Sequence, residues 1–311
     1  MVRNVVLYPE YYKDFKCISH RCKHNCCIGW EIDIDTDTFQ FYKGVSGKFG
    51  DRLKQNIEYS DEPHFKLQTG DRCPFLNHNG LCDIITALGE EALCQICNDH
   101  PRFRNFYTSF TEIGLGLCCE EAARIILTYP KPFRLVVLDG EKTEICHKEK
   151  EFLKLRQEIF DIAEREDISA LEKIEVISKS YEIQIPKKTN TEWLEFLKSL
   201  ERLDPDWERY LSLSVVGSEE LGKVNLQDFE KYFSRLLVYF IYRHLGEGVY
   251  DGRIKERIRF GLICTYLIRI LTAAQITQNL NFGFEDFIEI CRSFSAEIEY
   301  SNENIETILN L

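Results

Sequence analysis

Ten of the thirteen cysteines lie between Cys17 and Cys119, and this is where the residue types and spacing are most capable of chemistry. The first group is Cys17, Cys22, Cys26 and Cys27, four sulfurs within eleven residues, followed by Gly29, Trp30, Asp33, Asp35 and Asp37. The second is Cys73 with Pro74, then Cys82, then Cys94-x-x-Cys97 leading into His100, Pro101 and Arg102. The third is the adjacent pair Cys118 and Cys119. Thiolates close in sequence and carried on loops suit zinc or an iron–sulfur cluster, and suit hard cations badly. Structural zinc is usually marked by paired Cys-x-x-Cys knuckles, and Cys94/Cys97 is the only pair of that form. The uneven remaining gaps favour an iron–sulfur cluster over zinc.

Ten sulfurs exceed the four that one cluster takes, so the chain holds two centres or some of the cysteines are spare. Any single one can be a buried thiol, and Cys94/Cys97 can be a redox pair. Arg21, Lys23, Arg72, Arg102 and Arg104 are placed to offset the negative charge of a thiolate-held cluster, or else form an ordinary solvated surface. His20, His24, His64, His78 and His100 lie near the cysteines as possible ligands of a mixed site, although a histidine beside a cysteine is more often a bystander.

The compartment decides how these cysteines are read. Met1 to Glu10 contains no apolar run of the length a signal peptide has, which points to the cytoplasm. In a reducing cytosol, cysteines read as metal or redox sites and not as a disulfide framework. Asp and Glu number 51 against 39 Lys and Arg, a formal charge of −12, which argues against binding nucleic acid through its phosphates. Neither Leu236 to Tyr242 nor Gly261 to Ala274 reaches the roughly 20 apolar residues that a membrane span needs. With 44% hydrophobic and 29% charged residues in 311, the chain is globular and long enough for a full core without disulfides.

The elements that must position these residues divide the chain unequally. Up to about Pro130 the sequence is punctuated by Gly44, Gly47, Gly50, Gly70, Gly80, Gly89 and Pro101, so loops and short helices carry the cysteines. Leu135 to Leu138, Asp139-Gly140 and Glu141 to Ile145 predict a short hairpin at the seam. From Lys148 the period is helical: Phe152, Leu155, Ile159 and Ile162 form one stripe. Phe260, Ile263, Cys264, Leu267 and Leu271 form a second, and Phe287, Ile290, Cys291, Phe294 and Ile298 a third. Cys264 and Cys291 inside those stripes read as buried, inert thiols, and the aromatic run Tyr232, Phe233, Tyr239, Phe240, Tyr242 as packed core. The expected fold class is mostly α: a Cys-rich metal-binding domain of short helices and loops with minor β over 1–130, a hairpin linker over 131–147, and an all-helical part over 148–311.

The ordered series Cys17-x4-Cys22-x3-Cys26-Cys27-x-Gly29-Trp30, Cys73-Pro-Phe-Leu, Gly80-Leu-Cys82-x-Ile84, Leu88-Gly-Glu, Leu93-Cys-x-x-Cys97, Pro101-Arg102 and Cys119-x-Glu-Ala-Ala-Arg124 resembles the flagellin lysine-N-methylase family. That family belongs to a wider group of zinc- or iron-chelating domains. The likeness continues through Tyr239-Phe-Ile-Tyr-Arg243, Val249-Tyr-Asp-Gly252 and Glu297 to Asn304. One departure stands at the last motif: Cys118 and Glu120 replace the small residue and the proline that tend to flank its cysteine, and Cys119 is taken as the working sulfur.

The resemblance implies an enzyme that transfers methyl groups from S-adenosylmethionine to flagellin lysines, with a [4Fe-4S] cluster, or zinc in its place, held by Cys17, Cys22, Cys26, Cys27, Cys73, Cys82, Cys94, Cys97 and Cys119. The radical use of that cofactor commonly needs Cys-x3-Cys-x2-Cys, and Gly29 stands where its third cysteine belongs. Gly114-Leu-Gly116 lacks the third glycine of a dinucleotide turn, so the cofactor site is expected outside a Rossmann fold. Asp33, Asp35, Asp99, Tyr107 and Glu121 are candidate bases for the lysine amine, although each reads more readily as a surface group or a hydrogen-bond partner supporting the cluster. The competing functional readings are a non-catalytic zinc- or iron-binding or metal-delivery protein, and an iron–sulfur interaction module.

Overall fold

The computed structural model describes residues 5–59, 62–139, 144–204, 207–213 and 221–311. The protein is mostly helical, with a small sheet, and it folds as two compact units. One unit is Lys16–Arg102; the other joins Met1–Phe15 to Phe103–Leu311.

In the Lys16–Arg102 unit the elements are short: α1 (Thr36–Gly44), α2 (Gly47–Gln55), β2 (Ile57–Tyr59), β3 (Pro63–Phe65), α3 (Asp83–Leu88) and α4 (Gln95–Asp99). Strands β2 and β3 pair antiparallel, Ile57 opposite Phe65. Ile32, Ile34, Phe39, Tyr42, Leu53, Phe65, Phe75 and Ile84 form the unit's own apolar core, and Cys73 and Cys94 are buried in it. The Phe65 and Phe75 rings meet edge to face at 5.0 Å.

The other unit carries a four-stranded sheet in the order β4-β5-β1-β6, with β1 (Val5–Pro9), β4 (Arg102–Phe106), β5 (Phe110–Leu115) and β6 (Leu135–Asp139). β1 runs parallel to β5 and antiparallel to β6. Its helices are α5 (Glu120–Thr128), α6 (His147–Ala163), α7 (Ala170–Ser180), α8 (Asn190–Ser199), α9 (Trp207–Leu213), α10 (Glu230–His244), α11 (Ile254–Gln278), α12 (Phe284–Ile298) and α13 (Asn302–Leu309). Ser169 with Glu172 and Thr189 with Glu192 close capping boxes that start α7 and α8.

The second and third apolar stripes are realised in full: each of their ten residues is buried, Cys264 and Cys291 included. Helices α10 and α11 approach closely because Gly261 leaves room; a Cβ there would stand 3.1 Å from Ile241 Cδ1. The first stripe faces one core as well: Phe152 and Ile159 are buried in it, and Leu155 and Ile162 pack against it half-buried, while Arg156 shares the inner face of α6. Arg156 is held there by two bonds to the buried Glu112, at 2.7 and 2.5 Å.

The compact units divide at other places than the expected 1–130, 131–147 and 148–311. The reason is twofold: β5 and β6 both bond β1, which joins the N-terminal strand to this sheet, and the bonds of Tyr242 to Ile113 O and of Arg156 to Glu112 tie the sheet to the helices, so the cysteine-rich stretch is an insertion between β1 and β4. The expected hairpin is also corrected in part. Leu135–Asp139 is a strand, but its partner is β1, and residues 140–143 lie outside the described residues. The apolar run at 261–274 belongs to the longer helix α11, whose 25 residues are long and apolar enough to cross a membrane, yet 72% of its most apolar window is buried inside the fold.

Candidate metal centre

Three hydrogen-bonded joints bring the cysteine segments of the Lys16–Arg102 unit together. Asn25 Oδ1 accepts from the Cys27 N–H at 2.9 Å, the Trp30 indole donates to Cys26 O at 2.7 Å, and Gly29 at φ +95° lets the chain turn. The Cys73 N–H then donates to Cys27 O at 2.8 Å, so the vicinal pair and Cys73 become neighbours across 45 intervening residues.

The second joint is made by two arginines. Arg72 donates to Leu76 O and Asn77 O at 3.1 and 2.7 Å, closing the turn that places Leu76 opposite Cys82. Arg52 spans Pro74 O and Asp83 Oδ2, each at 2.7 Å, tying the Cys73 and Cys82 segments to α2. A Cβ at Gly80, φ +73°, would stand 3.4 Å from His20 Cα, so the Cys17–Cys22 turn passes close beside this one.

The third joint comes from α1. Asp35 accepts from Thr38 N–H and Gln95 N–H at 3.0 and 2.7 Å, and the Tyr42 hydroxyl donates to Ala92 O at 2.7 Å. Cys94 caps α4, and its sulfur lies 3.3 Å from that of Cys97.

The electrostatics show which sulfurs share a neighbourhood. The bond from Cys27 pulls the Cys26 thiol down to about 7, while that same bond, burial, and the nearby Cys73 and Cys82 push Cys27 up. Cys94 is lowered by the bond from Cys97, and Cys97 is raised by it, by burial, and by Cys94, Cys27 and Cys73. Burial, with Cys82 and Cys94 adding to it, pushes Cys73 up to about 11. Cys82 is raised by burial, with Asp83 and Cys94 adding to it. Sulfurs that oppose one another's ionisation are what a bound cation relieves, so the donor set fits a soft metal or an iron–sulfur cluster. Among the described residues no three His, Cys, Asp or Glu side chains stand ready around a common ion; the Cys94 thiol instead meets the sulfur of Cys97.

Of the nine cysteines singled out in the sequence, six therefore share this neighbourhood: Cys26, Cys27, Cys73, Cys82, Cys94 and Cys97. Cys17 accepts from Ser19 N–H at 3.4 Å and Cys22 donates to His24 O at 2.8 Å. Cys119 belongs to the other unit, where it caps α5. Burial, with Arg102 adding to it, pulls His100 down to about 4, leaving its imidazole neutral.

Three of the candidate bases have partners of their own: Asp35 caps two helices, Glu121 pairs with Arg124 at 3.4 Å, and Tyr107, its phenol raised well above the usual range by burial, donates to Glu112 at 3.3 Å.

The sheet-and-helix unit holds a polar cluster that the spacing of the sequence did not reveal. Glu299, fully buried, accepts from Tyr239 at 3.1 and 3.0 Å, from Arg243 at 3.0 Å and from His244 at 2.7 Å. Tyr239 also accepts from Leu117 N–H at 3.1 Å, and Cys118 meets the Tyr300 hydroxyl at 2.9 Å. Arg243 lies over the rings of Phe103 and Tyr300, 5.0 and 5.4 Å from their centroids. The available signal was Tyr239 and Arg243 one turn apart in an otherwise apolar helix.

A mostly helical protein with a sulfur-rich inserted unit is the class that these features define. The family model described as the FliB lysine N-methylase C-terminal domain matches residues 115–311, and the chain belongs to that family. It is 29% identical over 145 residues to a protein of Salmonella choleraesuis (strain SC-B67) named lysine-N-methylase, a match covering 44% of this chain and 35% of that one. It is 29% identical over 142 residues to the flagellar biosynthetic protein FliU of Salmonella muenchen, covering 43% of this chain and 81% of that protein. The chain thus spans about a third of the length of the relatives named lysine-N-methylase, with 35% of each covered. No solved structure matches.

Proposed function

We propose that this chain is an S-adenosylmethionine-dependent protein-lysine N-methyltransferase acting on flagellin in the cytoplasm. The family match over 115–311 carries the reading, and the flagellar name of the FliU relative supports flagellin as the substrate. In the transfer an N–C bond forms on the lysine amine, the S–C bond of the donor breaks, and a proton leaves the nitrogen. A lysine at its ordinary pKa of about 10.4 is charged at neutral pH, so the site must desolvate it or take its proton.

The sulfur-rich unit is proposed to hold a [4Fe-4S] cluster through four of Cys26, Cys27, Cys73, Cys82, Cys94 and Cys97, with Cys17, Cys22 and Cys119 as the further candidates named by the sequence. When bound, such a cluster supplies an electron store or an iron able to accept a ligand. Zinc suits the same sulfurs, and brown colour after anaerobic purification separates the two metals.

Co-expression with flagellin, followed by mass spectrometry of its lysine peptides, tests the function. Methyl masses on lysine that vanish when the chain is omitted are expected. Unmodified flagellin beside a metal-loaded, folded protein contradicts the proposal and leaves the metal-delivery reading.

A further inference from the structure

Helix α1 grips the segment that carries Cys94 from both sides. At its start, Asp35 accepts from Thr38 N–H, inside α1, and from Gln95 N–H, the residue after Cys94, at 3.0 and 2.7 Å. Two turns on, Tyr42 donates to Ala92 O, two residues before Cys94, at 2.7 Å. Tyr42 is fully buried and its ring stacks near that of Phe65, 6.1 Å between centroids, so this end of the grip is fixed by packing. The other cysteine segments are joined by separate bonds: Cys73 to Cys27 through the backbone, and Pro74 to Asp83 through Arg52. α4 is five residues long and cannot hold its own orientation, so the pair Cys94/Cys97 depends on α1 for its placement.

We infer that Asp35 is a positioning residue of the metal centre: its one carboxylate caps α1 and α4 together, aims Cys94 and Cys97 at the remaining sulfurs, and sets a negative charge beside them. The inference rests on the proposed metal-holding role of this unit and adds to it a residue that is not itself a ligand. Outer groups that orient ligands typically change metal retention by about 10–100-fold when removed. A fixed negative charge beside a cluster also disfavours the added electron, which lowers its reduction potential.

The test uses the full chain, purified anaerobically with its iron, and follows two readouts: the rate of iron loss to a chelator, and the reduction potential. Asp35→Asn keeps the shape, loses the charge and leaves one amide oxygen for two N–H groups. Gln95→Pro removes the donor and keeps the charge. Proline is tolerated there, because Gln95 is the first residue of α4 and Cys94 already has the extended backbone that precedes proline, φ −63° and ψ 154°.

Both variants are expected to lose iron about 10–100-fold faster than the unaltered chain. Asp35→Asn is also expected to shift the potential to more positive values, with Gln95→Pro close to the unaltered chain. A purely structural role for Asp35 would not produce that split. If Asp35→Asn does not fold, unchanged iron loss in Gln95→Pro overturns the inference by itself. Unaltered retention and potential in a loaded Asp35→Asn protein overturn it while leaving the metal centre standing, whereas an unaltered chain that takes up no iron overturns both.

Discussion

The Cys118 sulfur lies 2.9 Å from the Tyr300 hydroxyl, a contact that joins positions 182 residues apart. It places Cys118 inside the polar cluster of Tyr239, Arg243 and Glu299, and leaves Cys119 as the cap of α5. Tyr300→Phe removes the hydroxyl and should cost about 0.5–1.5 kcal/mol in urea unfolding, with iron content unchanged. Cys118→Ser, which keeps a hydrogen-bonding group, should cost less. Loss of iron in Cys118→Ser would add Cys118 to the ligand set.

The pair Glu112 and Arg156 is almost fully shielded from water, with side-chain exposures of 0% and 3%. Removing one partner of such a pair strands the other charge. Glu112→Gln should therefore lower stability by about 3–5 kcal/mol, measured by chemical denaturation. A loss below about 1 kcal/mol, the range of exposed pairs, would show that the site is wetter than its burial implies.

Acid should weaken the sheet-and-helix unit through His244. Burial lowers its pKa below the ordinary value; the bond to Glu299 opposes this, while Arg243 adds to it and Glu247 works against it. Because carboxylates only accept, neutral His244 donates its Nε2–H to Glu299. The folded state thus refuses a proton that the unfolded chain accepts below about pH 6.5, and stability present above that pH is lost as pH falls toward the depressed folded value. His244→Gln should flatten the slope of unfolding free energy against pH below about 6.5. An unchanged slope contradicts this assignment.

Cys264 and Cys27 should part company on substitution. Cys264 is fully buried in α11, so Cys264→Ser should cost about 1–3 kcal/mol while the protein keeps its metal. Cys27→Ser should bleach the centre at smaller cost to the helices. Equal metal content in the two proteins would remove Cys27 from the ligand set.

What the sequence revealed follows from the range of each signal. The stripes of α11 and α12 were readable because burial repeats with the helix period within one element. Cysteines 73, 82, 94 and 97 were readable by type and order. The partners of β1 were not, since β5 begins about a hundred residues later and pairing leaves no local trace. Arg156 on the buried face of α6 made sense only once Glu112, 44 positions away, stood beside it. Asp35 could be read as a base from its type, and only its bond to Gln95, 60 positions on, shows that it caps α4 as well as α1.

The most direct measurement incubates the purified, iron-loaded chain with flagellin and S-adenosylmethionine carrying a labelled methyl group, then locates the label by peptide mass. Label on lysine nitrogens, absent without the donor and lost on Cys27→Ser, is the expected result. Flagellin that stays unlabelled while the protein is folded and loaded contradicts it.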